Sequence, residues 1–215
     1  MSISERKAWE KHQRRERIVD IAERVFRQEG FDGTTLPAVA KAADYSRRTL
    51  YLYFRNREEL HLAVALRGLE ALHTTLRQTA MADGTLRGLA RAFFDFAVAR
   101  PDYLDLIMGY EARHFNYLGS QSPGPIAGEY QTACQKTSEA IMALMTAIIE
   151  RAKASKTIRT ALTPRQLMLI LWGQIFGVIQ VLRMREAHFE TIFGTDRRRL
   201  FEHFVGIVEE GLAPP

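Results

Sequence analysis

TLPAVAKAADYSRRTLYLYFRNR, residues 35–57, is the segment that decides the fold. Its first part carries apolar residues at offsets 0, 3, 4 and 7, which is one face of a helix of about two turns: Leu36, Val39, Ala40 and Ala43. Thr35 is placed to cap this helix at its N-terminus. A second short helix is predicted over residues 47–54, with Ser46 as its cap. Only Asp44 to Ser46 connect the two, so the pattern predicts a helix-turn-helix.

A longer helix precedes this pair. Five apolar residues fall at offsets 0, 3, 4, 7 and 8 and form one stripe: Ile18, Ile21, Ala22, Val25 and Phe26. Gly30 follows where a residue with positive φ belongs, so we expect the helix to end there. The sequence therefore predicts an N-terminal domain of three helices over residues 1–60, with residues 1–14 as a flexible basic tail.

The third predicted helix has an outer face suited to DNA. Its inner side groups Leu50, Tyr53 and Phe54. The opposite side carries Arg48, Tyr51 and Leu52, with Arg47 and Thr49 at the flanks. The candidate base contacts are Arg47, Arg48, Tyr51 and Leu52. Arginine can bond guanine O6 and N7 in the major groove, and a tyrosine or leucine can touch a thymine methyl. Five basic residues and one acid lie between Lys41 and Arg57, a density that suits a polyanion. A solvated basic face is the alternative.

Other residues are candidates for phosphate contacts. Arg57 opens the following helix, where free N–H groups and the helix dipole attract an anion. Tyr53 and Thr35 can donate hydrogen bonds nearby, and Lys41 adds positive charge. Three residues of the predicted tail are placed to reach the DNA backbone or a narrow minor groove: Lys11, Arg14 and Arg15.

The string TLYLYF (residues 49–54), followed by REEL (residues 57–60), resembles the TetR family of one-component transcriptional regulators. The resemblance extends from Arg17 to about Val64. It departs from the family's usual Ala-Gly-Val-Ser turn, which is ADYS (residues 43–46) here, and from the usual lysine at Arg57. Aspartate tolerates the left-handed conformation better than most residues, so we expect the turn to form.

The resemblance implies a homodimer whose two helix-turn-helix units read a palindromic operator, and a C-terminal bundle whose ligand changes their separation. It assigns Arg47, Arg48 and Tyr51 to base contacts. It assigns four residues to phosphate contacts: Thr35, Thr49, Tyr53 and Arg57. The implied function is a repressor whose operator affinity is lowered by a small hydrophobic or aromatic effector. An activator, a regulator without a ligand and a helical adaptor for an acidic protein are the alternatives.

Residues 61–215 are predicted to form a larger ligand-binding and dimerisation bundle. Helical periodicity recurs along the chain and strand alternation does not, so we expect an all-α fold of about nine helices. A loop rich in glycine, serine and proline is predicted between Tyr117 and Glu129. The most apolar stretch, Leu167 to Leu182, is 16 residues long, short of the roughly 20 that span a bilayer. A buried helix at a core or subunit interface is favoured.

Two further sets of candidates lie in this bundle. Gly173 and Gly177 are four residues apart on one helix, a spacing that lets two helix backbones approach closely. With the apolar stripe of the last helix they form the candidate dimer interface, a contact within one chain being the alternative: Gly173, Gly177, Phe201, Phe204, Val205 and Val208. Aromatic, soft and polar side chains at mid-helix form the candidate ligand pocket, with Cys134 as a further neighbour: Phe93, Phe94, Tyr103, Met108, Tyr110, Glu111, His114, Tyr130, Trp172 and Gln174.

The composition and motifs exclude several classes of protein. With 47% hydrophobic and 26% charged residues, the chain is neither disordered nor fibrous. A single cysteine, Cys134, can form neither an intrachain disulfide nor a paired-cysteine zinc site. The sequence lacks a glycine-rich phosphate loop, Gly-x-Ser-x-Gly and His-Glu-x-x-His, so we expect no enzyme, no cofactor and no metal. The charged N-terminus lacks the apolar core of a secretory signal, which predicts a cytoplasmic protein without membrane association.

Overall fold

The computed structural model describes residues 2–114, 128–184 and 189–214, which form ten α-helices and no strand. The helices are α1 (Ile3–Gly33), α2 (Leu36–Ala42), α3 (Arg47–Tyr51), α4 (Arg57–Ala82), α5 (Leu86–Ala99), α6 (Pro101–His114), α7 (Glu129–Ala154), α8 (Pro164–Met184), α9 (Phe189–Phe193) and α10 (Arg197–Leu212). The prediction of an all-α fold is confirmed. The short helix α9 is the helix that the apolar periodicity did not indicate. The loop predicted between Tyr117 and Glu129 lies outside the described residues as far as residue 127.

The first compact unit comprises Met1–Ala71 and Arg100–Thr137. Its core buries the predicted stripe of α1 against α2, α3 and α4, and includes Ile18, Ile21, Ala22, Val25, Phe26, Leu36, Val39, Leu50, Phe54 and Leu60. Arg67 of α4 also holds α1 through ion pairs with Glu16 Oε2 at 2.7 Å and Asp20 Oδ1 at 2.6 Å. The boundary predicted at residue 60 falls inside this unit, because α4 continues through it as one helix.

The N-terminal segment differs from its prediction. Residues 3–14, which were predicted to form a flexible tail, are helical and belong to α1. Ser2 and Glu5 form a capping box, in which Glu5 N–H donates to Ser2 Oγ at 3.2 Å and Ser2 N–H donates to Glu5 Oε2 at 2.6 Å. An i,i+4 ion pair between Arg6 and Glu10 adds support one turn later. Gly30 does take positive φ, at 68°, and kinks α1, but a short helical segment continues beyond it to Gly33.

The turn between α2 and α3 depends on one residue with positive φ. Asp44 lies in the left-handed region at φ 56°. Tyr45 N–H donates to the Ala40 carbonyl at 2.9 Å and Asp44 N–H donates to the Lys41 carbonyl at 3.2 Å. This pair of bonds is the Schellman motif, which satisfies the last carbonyls of α2. Tyr45 is half-buried against the core of the first unit, as the motif's hydrophobic contact requires.

Helix α3 is short and capped at its start. Thr49 N–H donates to Ser46 Oγ at 3.0 Å, and Ala38 N–H donates to Thr35 Oγ1 at 3.2 Å, so both predicted N-caps are confirmed. The regular helix ends at Tyr51 rather than Phe54, because Leu52 N–H and Tyr53 N–H donate to carbonyls three residues back. Asn56, which the sequence analysis missed, accepts Glu59 N–H at 2.8 Å and caps α4.

The second compact unit comprises Leu72–Ala99 and Ser138–Pro215. A capping box opens α8, since Gln166 N–H donates to Thr163 Oγ1 at 3.3 Å and Thr163 N–H donates to Gln166 Oε1 at 2.9 Å. By length and composition alone, Pro164–Arg183 would be long and apolar enough to cross a membrane. One side of this helix is nevertheless buried in the core of the unit, through residues that include Leu167, Met168, Ile175, Phe176, Ile179 and Leu182.

We predict that Asp44→Val lowers the free energy of unfolding by about 1–2 kcal/mol, because a β-branched residue is strained at positive φ. Asp44→Gly should be as stable as the natural chain or more so, since glycine carries no such strain. Urea denaturation of the three proteins measures the difference. Equal stability of the valine and glycine variants would contradict a left-handed turn at this position.

Candidate nucleic-acid interface

Helix α3 presents the side chains that the sequence analysis assigned to DNA bases. Leu50 and Phe54 are fully buried, whereas Arg47 and Arg48 are exposed. Tyr51 is 53% exposed and Leu52 is 71% exposed, which is unusual for large apolar side chains on so short a helix. Four residues therefore share one solvent-facing surface, which we call the reading face: Arg47, Arg48, Tyr51 and Leu52.

The positive charge of the reading face is not neutralised by the chain's own acids. Within the described residues, no carboxylate forms an ion pair with Arg47, Arg48 or Lys41. By contrast, Arg55 Nε lies 3.3 Å from Glu59 Oε2 and Arg57 Nη1 donates to the Thr34 carbonyl at 3.4 Å. Two arginines on the reading face and Lys41 on the preceding helix, none of them ion-paired among the described residues, produce a local positive potential that attracts polyanions.

The candidate phosphate contacts differ in how far their side chains are exposed to solvent. Lys41 and Thr35 are exposed, and the Thr35 oxygen already accepts the Ala38 N–H. Thr49 is half-buried, with its Oγ1 2.8 Å from Ser46 Oγ. Tyr53 and Arg57 are half-buried, and the Tyr53 ring packs on the core of the first unit. Lys41 is thus the candidate most open to a phosphate.

A cluster of aromatic rings and one arginine, which no sequence pattern indicated, packs against Phe54 just after α3. The Phe54 ring stacks on Tyr130 with centroids 6.1 Å apart and planes 18° apart. The Arg15 guanidinium lies 4.5 Å from the Tyr130 centroid and 5.5 Å from that of Phe54, a cation–π arrangement. Arg15 also pairs with Glu129 at 3.1 Å. Arg15, a candidate for reaching DNA from the predicted tail, is therefore held by packing and an ion pair within the first unit.

Burial within this cluster keeps Tyr130 neutral. Desolvation raises the pKa of the Tyr130 phenol to about 12, although the nearby Arg15 charge lowers it. Tyr130 was a candidate for the ligand pocket. Its ring packs against Phe54, which follows α3, a contact between distant parts of the sequence that periodicity could not reveal.

The second unit contains a cavity of about 670 Å³. Helices α5, α7, α8 and α10 line it, mainly with apolar side chains that include Leu89, Phe93, Met145, Ile149, Trp172 and Val208. Arg87, Arg151 and Glu209 are its charged lining residues. This volume lies within the range of about 300–1,000 Å³ that is typical of small-molecule sites.

Of the nine candidate pocket residues whose side chains the structure describes, Phe93 and Trp172 line this cavity and the other seven do not. Five others belong to the first unit: Tyr103, Met108, Tyr110, Glu111 and Tyr130. Phe94 is buried against Phe201, with ring centroids 4.3 Å apart, and Gln174 is exposed on α8. His114 is the last residue of α6, also in the first unit, and its side chain lies outside the described part. Aromatic character alone could not separate core from cavity, because the two use the same residue types.

The outer face of α8 is exposed and apolar. Gly173 and Gly177 are exposed, and a methyl group added to either would have no neighbour within 4 Å. Apolar side chains continue this surface along the helix and include Leu169, Ile170 and Val181. We call the surface formed by these five residues the α8 face.

The candidates on α10 divide differently from their prediction. Phe201 and Val205 are buried within their own chain, so they do not belong to an outer surface. Phe204 and Val208 are half-buried and line the cavity. The exposed apolar residue of α10 is Ile207, at 69%. The apolar stripe of this helix is its inner side, which periodicity cannot distinguish from a side that meets a partner.

Cys134 is a buried residue of the first unit, and its Sγ donates to the Leu62 carbonyl at 3.4 Å. Burial raises the pKa of its thiol from an ordinary value of 9.0 to about 12. The reactive thiolate is therefore scarce in the folded chain.

We predict that iodoacetamide at pH 8 alkylates Cys134 at least about a hundredfold more slowly in the folded protein than in urea, because only the unfolded thiol ionises appreciably. The raised pKa also means that the free energy of unfolding falls as pH rises from about 9 to 12, since the unfolded thiol loses its proton first. Mass spectrometry of timed samples measures the two rates. Similar rates would contradict the buried placement of this side chain.

Comparison with known proteins identifies the class. Residues 18–64 match the family model described as bacterial regulatory proteins, tetR family, and residues 86–208 match the Tetracyclin repressor-like, C-terminal domain. These matches cover most of the chain. The chain therefore belongs to the tetR family, whose members are DNA-binding transcriptional regulators rather than enzymes.

Individual relatives are more distant. The chain is 30% identical over 91 residues to the uncharacterized HTH-type transcriptional regulator YobS of Bacillus subtilis (strain 168), an alignment covering 41% of this chain and 48% of YobS. The match thus spans about half the length of that curated relative.

Solved structures share the fold at low identity. A protein with unknown function from Rhodococcus sp. RHA1 is similar with a TM-score of 0.71 and 22% identity, covering 94% of this chain and 96% of that one. FadR from Bacillus subtilis, in complex with stearoyl-CoA, is similar with a TM-score of 0.66 and 18% identity, covering 91% of this chain and 98% of that one.

Proposed function

We propose that a homodimer of this chain binds a palindromic DNA operator through its two reading faces and represses transcription until a small hydrophobic or aromatic effector occupies the cavity. Residues 1–60 carry DNA binding in this proposal, and residues 61–215 carry effector binding and dimerisation. Binding to chromosomal DNA implies a cytoplasmic protein. The description of the matched C-terminal domain as Tetracyclin repressor-like favours repression over activation.

The reading face is the single observation that carries DNA binding. An exposed Tyr51 and Leu52 beside two arginines without acidic partners make a poor surface for water and a good one for a major groove. Arg47 and Arg48 have the donor geometry for guanine. Each good base contact contributes roughly 1–3 kcal/mol of discrimination against a wrong base. An adaptor for an acidic protein would use the charge but would show no choice among DNA sequences.

The α8 face supports dimerisation. Two glycines one turn apart, flanked by exposed leucine, isoleucine and valine, allow a second copy of the helix to approach closely and bury those side chains. A two-fold axis would place the same surface on both sides of the contact, as most homodimers do. Ile207 of α10 is placed in this proposal at the same interface, instead of Phe201 and Val205.

The cavity supports an effector. Its volume and its aromatic and aliphatic lining suit a largely apolar molecule. The related FadR fold in complex with stearoyl-CoA is consistent with such a ligand. An effector releases DNA only if it binds the DNA-incompetent form of the dimer more tightly. A coupling of roughly 1–3 kcal/mol changes operator affinity about 5- to 150-fold.

We predict that Arg48→Ala and Tyr51→Ala reduce the preference for the selected operator over random DNA, each by roughly 1–3 kcal/mol, because both residues are assigned to bases. Lys41→Ala should weaken binding to all sequences alike and reduce the salt dependence of log K by about one unit, because it is assigned to a phosphate. The measurement is a fluorescence-anisotropy series on both duplexes at several salt concentrations.

Arg77→Ala is the matched control, since it removes an exposed positive charge from α4 outside the reading face. It should leave both the preference and the salt slope unchanged. If Arg48→Ala and Tyr51→Ala retained full operator preference, the assignment of the reading face to DNA bases would be wrong.

We predict that Gly177→Leu leaves the chain folded but shifts it from dimer to monomer, because the added side chain meets open space in one chain and a facing backbone in a pair. Gln78→Leu adds a similar side chain at an exposed position of α4 and should remain dimeric. Sedimentation measures the mass, and circular dichroism checks the helix content. A Gly177→Leu protein that dimerised as tightly as the Gln78→Leu control would remove the α8 face from the interface.

A further inference from the structure

The charged residues of the cavity are not balanced. Arg87 Nε donates to Glu209 Oε1 at 3.0 Å, and its second guanidinium nitrogen also bonds the same carboxylate. This bidentate ion pair satisfies one arginine and the one acid that line the cavity. Glu202, which lies on the same helix as Glu209, is held by Arg91 through two bonds of 2.7 Å. The two carboxylates near Arg87, those of Glu209 and Glu202, thus already form ion pairs with arginines.

Arg151 is the remaining cation. It projects from the last turn of α7, where the helix dipole favours positive charge. Its guanidinium lies against the turn at Gly84, where an added methyl group would stand 3.4 Å from Arg151 Nη2. Within the part of the chain that the structure describes, no carboxylate pairs with it. Arg151 is exposed and also lines the cavity, so it lies where the cavity meets solvent.

We infer that the cavity binds an amphiphile with one anionic head group, which Arg151 receives at the opening, and an apolar tail, which lies against Phe93, Ile149 and Trp172. This inference rests on the proposed role of the cavity as the effector site and adds the charge of the effector. A carboxylate or a phosphate would form two charge-assisted hydrogen bonds with the guanidinium. A cationic ligand would meet Arg151, and the acid among the lining residues, Glu209, is already paired with Arg87.

Glu209 limits how strongly the cavity prefers an anionic ligand. Its carboxylate lines the same cavity and repels an anion, but it is neutralised by Arg87 as long as their ion pair is closed. The net charge of the lining side chains is therefore one positive unit, from two arginines and one glutamate. Glu202 Oε2 also lies 3.6 Å from Arg87 Nη1. Replacing Glu209 by glutamine would therefore leave Arg87 only this more distant carboxylate, which Arg91 already binds, and add a second, partly neutralised cation for the head group.

Trp172 offers a direct readout, because the chain has two tryptophans and Trp9 is 56% exposed on α1. Trp9→Phe makes Trp172 the single fluorophore. Full-length protein of this background is titrated with dodecanoate, dodecan-1-ol and dodecyltrimethylammonium, which share a tail and differ in head charge. The variants are Arg151→Met, Glu209→Gln and the matched control Arg77→Met, which removes an exposed arginine of α4 that does not line the cavity.

We expect dodecanoate to bind more tightly than dodecan-1-ol by about tenfold, and dodecyltrimethylammonium to bind weakest. Arg151→Met should remove the advantage of dodecanoate without changing the affinity for the alcohol. Glu209→Gln should strengthen dodecanoate binding several-fold, and Arg77→Met should change nothing. A second anionic probe, dodecyl phosphate, distinguishes a carboxylate site from a phosphate site by its affinity relative to dodecanoate.

Equal affinity for dodecanoate and dodecan-1-ol, or an Arg151→Met protein that keeps the difference, would overturn the anion site. Failure of every probe to change Trp172 fluorescence would overturn the amphiphile cavity itself. Neither result touches DNA selection by the reading face, which is measured without an effector. If the proposed repressor function were wrong, the protein would select no DNA sequence and would still bind dodecanoate.

Discussion

The burial of Leu50 and Phe54 is the constraint on which the rest of this structure depends. These two side chains fix the rotation of a helix of only five residues, and fully burying each contributes about 1.5–3 kcal/mol. An isolated helix of this length would not be stable in water. Because its inner side is anchored, the outer side must present Arg47, Arg48, Tyr51 and Leu52 to solvent. The reading face is thus a consequence of core packing.

Two local devices make this anchoring possible. The left-handed Asp44 reverses the chain within three residues, and the Ser46 cap starts α3 at a defined point. The Tyr130 ring stacks on Phe54 beneath the Arg15 guanidinium and so holds the turn that follows α3. Tyr130 begins the helix whose later residues, Ile149 and Arg151 among them, line the cavity. One helix therefore carries residues of both functional regions.

The N-terminal half of the fold could be predicted closely because its signals are local. Offsets of three and four residues, two side-chain caps and one aspartate at a turn each depend on neighbours in the sequence. Features that depend on distant partners could not be predicted in this way. Phe201 and Ile207 differ by six positions on one apolar helix, yet only packing on Phe94 decides that the first faces inward. For the same reason, periodicity could not tell which of the candidate pocket residues line the cavity, as Phe93 and Trp172 do.

In the proposed complex, two copies of α3 enter successive major grooves of one duplex. Methylation interference at guanine N7 tests it most directly, because that atom is exposed in the major groove and is the acceptor assigned to Arg47 and Arg48. On the duplex selected by the natural protein, we expect two clusters of interfering guanines related by a two-fold axis. Their centres should lie about one helical turn, or a multiple of it, apart. A single cluster, or uniform insensitivity to N7 methylation, would contradict it.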